Sequence, residues 1–186
     1  MKPDFRKSGV HLFAGFFFAV VLTVAFVKNS WYPIRAIGGE ESAGTWLSGA
    51  MLVIAMTLSL VAGKRRGLFP WFLFAAFFAL AAADERFMFH EQLKQRLIFT
   101  SAGHYMQGSL FYELPIITGA VVGLAVTVLL WRTVRKRGRI LLTGAAAAGG
   151  GSVVIDVFSR GVFWEDCLKL VAELLVVLML AGETDG

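Results

Sequence analysis

Cysteine is almost missing from this chain. Cys167 stands alone, so no intrachain disulfide can form and cysteine usage says nothing of the redox compartment. Charge is scarce as well: 17% of the 186 residues are Asp, Glu, Lys or Arg, against 57% hydrophobic, with a mean hydropathy of +0.69. A soluble domain of this size could not hide so much apolar surface. Catalytic signatures are also lacking. The Gly149–Gly151 run lies inside a hydrophobic stretch with no following Lys-Ser/Thr, which excludes a phosphate-cradling loop. There is no GxSxG elbow and no HExxH helix. No repeat at a fixed period and no inverted repeat of the transporter type is visible. Nucleic acid is excluded as a partner despite the net charge of +5, because the bases sit in short clusters beside hydrophobic runs instead of along one face.

The runs themselves approach the ~20 residues that span a bilayer as helix. The expected fold is all-α: an integral membrane six-transmembrane-helix bundle, one transmembrane domain over residues 1–186, with the lipid bilayer as its partner. The spans fall at about His11 to Val27, Thr45 to Gly63, Leu68 to Ala83, Leu114 to Trp131, Ile140 to Val157 and Trp164 to Ala181. The first follows Lys2, Arg6 and Lys7 as a signal peptide would, but Thr23-Val24-Ala25 is a poor cleavage site, so it reads as a retained helix. The third helix is expected to continue past Asp84. The fifth is rich in small residues, Gly144 to Ser152, and reads as a helix packed closely on the Gly119-xxx-Gly123 face of the fourth. The alternative is five spans with a re-entrant fifth segment and the C-terminus outside.

Counting bases by side orients the bundle. An N-in, C-in arrangement puts eleven bases in the cytoplasm, including Lys64-Arg65-Arg66 and the cluster from Arg132 to Arg139, against seven outside. Trp31, Tyr32, Trp46 and Trp164 would mark the outer interface, Trp71 and Trp131 the inner one. The acids run the other way. Ten of them fall outside, and only Asp4, Glu183 and Asp185 inside.

Carboxylates gathered at one depth near hydrocarbon need bases, protons or a metal as partners. On a continuous helix, ~100° per residue would place Asp84, Met88 and Glu91 on one face with His90 close by. Glu113 precedes Pro115 at the mouth of the fourth helix, near backbone N–H groups that favour its anion. Asp156 ends the fifth span at the same level. Glu165, Lys169 and Glu173 form a stripe down the sixth, with Glu173 ~13 Å below Trp164. A purely structural reading makes that stripe an ion-pair ladder. A functional reading follows from the depth of Glu173, since intramembrane carboxylates mark sites by default. The packing expectation is that Asp84, His90 or Glu91 comes within ~6 Å of Glu113, Asp156, Glu165 or Glu173, close enough for charges to couple.

The motif Asp84-Glu85-x-Phe87-x-x-His90-Glu91, with Glu165-Asp166-x-Leu168-Lys169, resembles small bacterial multi-pass inner-membrane proteins of uncharacterised function. The resemblance implies a multi-pass protein of the bacterial inner membrane and supplies no activity. The membrane hydrolases of the alkaline ceramidase and adiponectin receptor type are a looser comparison. This chain lacks their late His-x-x-x-His pair, so none of their residues is carried over.

The leading expectation is a metal–carboxylate site facing the periplasm, acting on a lipid or other membrane-soluble substrate. Its ligands are Asp84, His90, Glu113, Asp156 and Glu165, its divalent metal zinc, iron or manganese, and its catalytic groups Glu91 and Glu173. His104, in the loop from Ser101 to Tyr105, reads as solvated, and His11 as interfacial. The alternative is non-enzymatic: a proton- or cation-linked carrier, sensor or accessory subunit, with Glu173 and Lys169 as a buried switch. A dead-end outer pocket favours an enzyme, and a polar path past Glu173 toward Arg132–Arg139 favours transport. Whether the chain is an enzyme at all, and whether it oligomerises, the sequence leaves open.

Overall fold

The computed structural model describes residue 19 and residues 42–101, 113–159 and 162–184. The expected first span, with His11, and the loop carrying His104 lie outside the described residues. Beyond Ala19, these form six helices and no strand: α1 (Ala43–Arg66), α2 (Phe69–Phe87), α3 (Phe89–Ser101), α4 (Leu114–Trp131), α5 (Lys136–Ser159) and α6 (Val162–Thr184). By length and composition α1, α4 and residues 136–158 of α5 can each cross a membrane. α2 and α6 are long and largely apolar too, but α2 ends in Asp84-Glu85-Arg86 and α6 carries Glu165, Asp166, Lys169 and Glu173.

Local chemistry sets the helix ends. Ser42 caps α1 by accepting from the Thr45 N–H at 3.2 Å. Gly67 ends it at φ 64°, a left-handed position that glycine occupies without strain, and Pro70 sits in the first turn of α2. These features make α1 and α2 a tight hairpin. The third span continues past Asp84 as expected, but only to Phe87, and does not run on to Glu91 as one helix. Met88 takes φ 52° and ψ 44° and donates its N–H to the Asp84 carbonyl at 2.7 Å, so α2 stops and α3 starts in a new direction.

α1 packs along α2 and α6, and α6 along α5. α4 touches α2 and α5 more lightly, which closes a ring of five helices, with α3 set against α2 and α4. Lipid gives helices no hydrophobic reason to associate, so close fit must hold such a ring. Phe74 and Phe78 meet edge-on at 4.5 Å, and Leu47, Trp71, Phe74, Leu142, Met179 and Leu180 are almost fully buried. The small residues of α5 serve this fit, but against α6 and not α4. A Cβ at Gly144 would meet Leu175, one at Gly149 Ala172, and one at Gly151 Leu168. Gly123 faces Phe77 of α2, and Gly119 faces nothing within 4 Å. The small-residue stripes of α4 and α5 therefore serve different neighbours. α5 itself is an unbroken helix of 24 residues.

The ring has a basic end and an acidic end. At the basic end Glu183 of α6 is buried, with Arg66 paired to it. Arg66 also donates to the carbonyls of Glu183 (3.1 Å) and Thr133 (3.3 Å), and Glu183 Oε1 accepts from the Arg135 N–H at 3.0 Å. One carboxylate thus ties α1, α6 and the α4–α5 turn together. Trp71 lies beneath the Arg66 guanidinium, 5.4 Å from it, and is fully buried. It is therefore a core residue and not part of an inner aromatic belt, because the α1–α2 hairpin folds it inward against Gly63. Trp131, Trp46 and Trp164 remain exposed.

Candidate functional site at the acidic end

The break at Met88 builds the first half of the site. α3 starts with unsatisfied N–H groups, and Asp84, left on the last turn of α2, supplies the acceptor. Its Oδ1 accepts from the His90 N–H at 2.8 Å, and its Oδ2 lies 2.8 Å from His90 Nδ1. Both Asp84 oxygens are thereby committed to one residue. On the other side of the ring, His90 Nε2 lies 3.4 Å from Glu91 Oε1. A protonated His90 donates to both carboxylates, whereas a neutral one with its proton on Nδ1 turns a lone pair toward Glu91.

Lys94, one turn along α3, is the centre of the rim. Its ammonium is 2.9 Å from Glu113 and 3.4 Å from Glu91, with Asp156 in electrostatic reach, and only 4% of the side chain is exposed. Burial alone would lower its pKa. The hydrogen bond to Glu113 and the charges of Glu91, Glu113 and Asp156 outweigh that and hold it above the ordinary lysine value. Glu113 is the N-cap residue of α4, but its carboxylate makes no capping bond to that helix and turns to Lys94 instead. The Lys94 pair thus joins α3 to the mouth of α4.

The second half lies deeper. Lys169 of α6 pairs with Glu85 of α2, and Glu173, one turn below, is reached by α1: Ser48 Oγ donates to Glu173 Oε1 at 2.7 Å. Contacts across helices are thus added to the ladder along α6: Lys169 turns to Glu85 on α2 and Glu173 to Ser48 on α1, while Lys169 stays in electrostatic reach of both Glu165 and Glu173. Glu173 is 8% exposed, and its Oε2 has no hydrogen-bond partner among the described residues. Asp166 lies in electrostatic reach of Lys169 and Glu85, and Glu165 in reach of Asp156, Asp166 and Lys169. Above this layer Arg86 stacks on Trp46 at 5.0 Å, tying the end of α2 to the start of α1.

Asp84, His90, Glu91 and Glu113 are thus linked through contacts, Asp156 and Glu165 border them, and Glu173 belongs to the deeper group. Among the described residues no three His, Cys, Asp or Glu side chains are arranged to hold a metal ion. The chemistry these donors can offer together is proton and cation handling: an imidazole between Asp84 and Glu91, an ammonium between that same Glu91 and Glu113, and a buried carboxylate with one oxygen open.

Sequence reasoning missed three participants: Ser48, Lys94 as the hub, and Glu85 as the partner of Lys169. Ser48 could have been found on the α1 stripe Gly44, Ser48, Met51, Ala55, Ser59, where small and polar residues recur at helical spacing and are buried. Lys94 gave no signal, because its role depends on the turn at Met88.

An all-helical protein with helices fit to cross a membrane, polarised into a basic and an acidic end, is the class these features define. The chain belongs to a family described as a domain of unknown function (DUF8692), whose model matches residues 10–182. No curated protein and no solved structure matches it.

Proposed function

We propose that this chain is a six-span protein of a bacterial inner membrane, N-in and C-in, with a proton- or cation-responsive site on its periplasmic side, working as a sensor or accessory subunit. The observation that carries this reading is Glu173. A buried carboxylate oxygen without a partner is costly, and a proton or small cation on Oε2 would complete it. The surroundings suit a cation, since the described acidic end holds eight acids against four bases. The site is one-sided. From Glu173 toward the basic end the bundle is filled by Met51, Ala55, Phe74, Phe78, Val177 and Leu180, and the Ser59 hydroxyl is spent on the Ala55 carbonyl at 2.7 Å. A polar path of the kind a carrier needs is not found among these residues.

One-sidedness alone would suit a metal-dependent hydrolase as well. That reading draws less support, because both Asp84 oxygens hold His90 and the Lys94 ammonium stands where Glu91, Glu113 and Asp156 would converge on a metal. Infrared difference spectra of the reconstituted protein, recorded as the medium is acidified, test the proposal. A carboxylic C=O band should appear in the wild type and be missing in Glu173→Gln, while a pH dye inside the vesicles stays silent. A spectrum unchanged by Glu173→Gln would refute the site, and Glu173-dependent acidification of the lumen would replace the sensor with a carrier.

A further inference from the structure

The basic end carries far more charge than its one described acid can neutralise. Eight lysines and arginines gather there, from the end of α1, the α4–α5 turn and the start of α5, against Glu183 alone. That acid is buried and already committed to Arg66 and the Arg135 N–H. Several of the bases are also committed. Arg65 donates to the Thr184 carbonyl, Arg66 is locked to Glu183, and Arg139 donates to the Val134 carbonyl at 3.0 Å while stacking on Trp131 at 6.0 Å. The side chains of Lys64 and Arg135 are exposed, Arg135 on a backbone tied to Glu183, and so are the three that border it at the α4–α5 turn, Arg132, Lys136 and Arg137; none of the five side chains makes a hydrogen bond or ion pair among the described residues.

These three cations sit between the ends of two helices that can cross a membrane, α4 ending at Trp131 and α5 starting at Lys136. Exposed Trp131 and Ile140 flank them, an indole and an aliphatic side chain of the kind that favours the boundary between headgroups and acyl chains. A free anion in solution would use the cations alone. A phospholipid uses the cations through its phosphate and the apolar neighbours through its chains, and the geometry points to that. We infer that the α4–α5 turn is a binding site for an anionic phospholipid headgroup, with Arg132, Lys136 and Arg137 as its phosphate-facing residues. This goes beyond the acidic-end reading and does not depend on it.

Spin-labelled phosphatidylglycerol and phosphatidylcholine, each at trace level in phosphatidylcholine vesicles holding the full chain, test the site. The motionally restricted fraction gives the relative association of the two lipids. Phosphatidylglycerol should be preferred by at least about fivefold, the contribution of one lysine or arginine near an anionic surface. The preference should collapse toward unity in Arg132→Gln/Lys136→Gln/Arg137→Gln, and persist in Arg86→Gln at the opposite end. Equal association of both lipids with the wild type would overturn the inference, as would a preference kept by the triple variant. Should that variant fail to reconstitute, the wild type at 1 M salt decides: screening over about 3 Å should remove the preference, and a preference unchanged by salt overturns it.

Discussion

Removing the charge of Lys94 should cost more than any other single change at the acidic end. Lys94→Met keeps the apolar stem and deletes the ammonium that stands between Glu113 at 2.9 Å and Glu91 at 3.4 Å. Breaking a buried pair by deleting one partner costs roughly 3–5 kcal/mol, because the other charge is left without compensation. Glu91 is 36% exposed, so water takes over most of its share, worth about 1 kcal/mol or less, but Glu113 is only 19% exposed. A loss of about 3 kcal/mol follows at the low end of the range, on the order of 6–12 °C in the unfolding midpoint for a chain of this length. Thermal unfolding in detergent, followed by circular dichroism, reads it. The double variant Lys94→Met/Glu113→Gln should regain at least half of the loss, since it no longer buries a lone carboxylate. The pH dependence has a definite sign. The folded-state pKa of Lys94 lies above its ordinary 10.5, so its contribution is fully present below that pH and is lost as the pH rises through the folded value. The stability difference between wild type and Lys94→Met should thus stay flat through neutral pH and shrink only in strong alkali. A Lys94→Met midpoint within 1 °C of wild type would refute the hub role.

Ser48→Ala should destabilise by about 1–3 kcal/mol, because it strips the one donor from Glu173, whereas Glu173→Gln keeps an oxygen for Ser48 and should cost less; the order of the two unfolding midpoints checks this. At Met88, φ 52° strains any side chain, so glycine should be tolerated and valine should lower stability by about 1 kcal/mol or more, read by the same unfolding assay. Gly138→Ala should cost about 1–3 kcal/mol, since its Cβ would lie 2.4 Å from Val134 Cγ1 and 2.8 Å from Glu183 Oε1. Gly119→Ala, with nothing within 4 Å, should be neutral or slightly stabilising; a Gly119 variant as damaging as Gly138→Ala would mean that the face of α4 is packed after all.

Much of the fold was legible because it rests on composition and periodicity. Apolar runs of spanning length announced α1, α4 and α5, and the basic clusters announced which ends lie together, as the Arg66–Glu183–Arg135 junction illustrates. What stayed hidden were choices between equivalent surfaces. The small residues of α5 could serve either neighbour, and Leu168, Ala172 and Leu175 of α6 offer side chains that fill the glycine hollows, whereas α4 reaches α5 only lightly. Trp71 resembles an interfacial tryptophan in sequence, but three residues from Leu68 the hairpin has already turned it into the core. The site was legible as a set of acids at one level and illegible as a set of pairs. Helical periodicity through Asp84, Met88 and Glu91 assumes an unbroken helix, and one residue in the left-handed conformation cancels it.

That break also gives the acidic end a division of labour that a single long helix could not provide. On a continuous α2, Lys94 would be carried onward along the same axis, away from the start of α4. The turn at Met88 redirects α3 so that Asp84 holds its first turn and Lys94 meets Glu113. Asp84, Glu91 and Glu113 at the rim are then met by His90 and Lys94 of α3, while deeper in Lys169 neutralises Glu85 and the uncharged Ser48 hydroxyl donates to Glu173. Two acidic-end carboxylate oxygens are buried without a hydrogen-bond partner among the described residues, and of these Glu113 Oε2 has the Lys94 ammonium at 2.9 Å while Glu173 Oε2 has no such contact. An ion-pair lattice built for stability alone would place its last open valence at the solvent rim, where water satisfies it at little cost. Here the open oxygen lies at the bottom, behind Lys169 and Glu85, where leaving it empty costs most. Stability does not call for that placement, which is the ground on which a proton or cation at Glu173 is proposed.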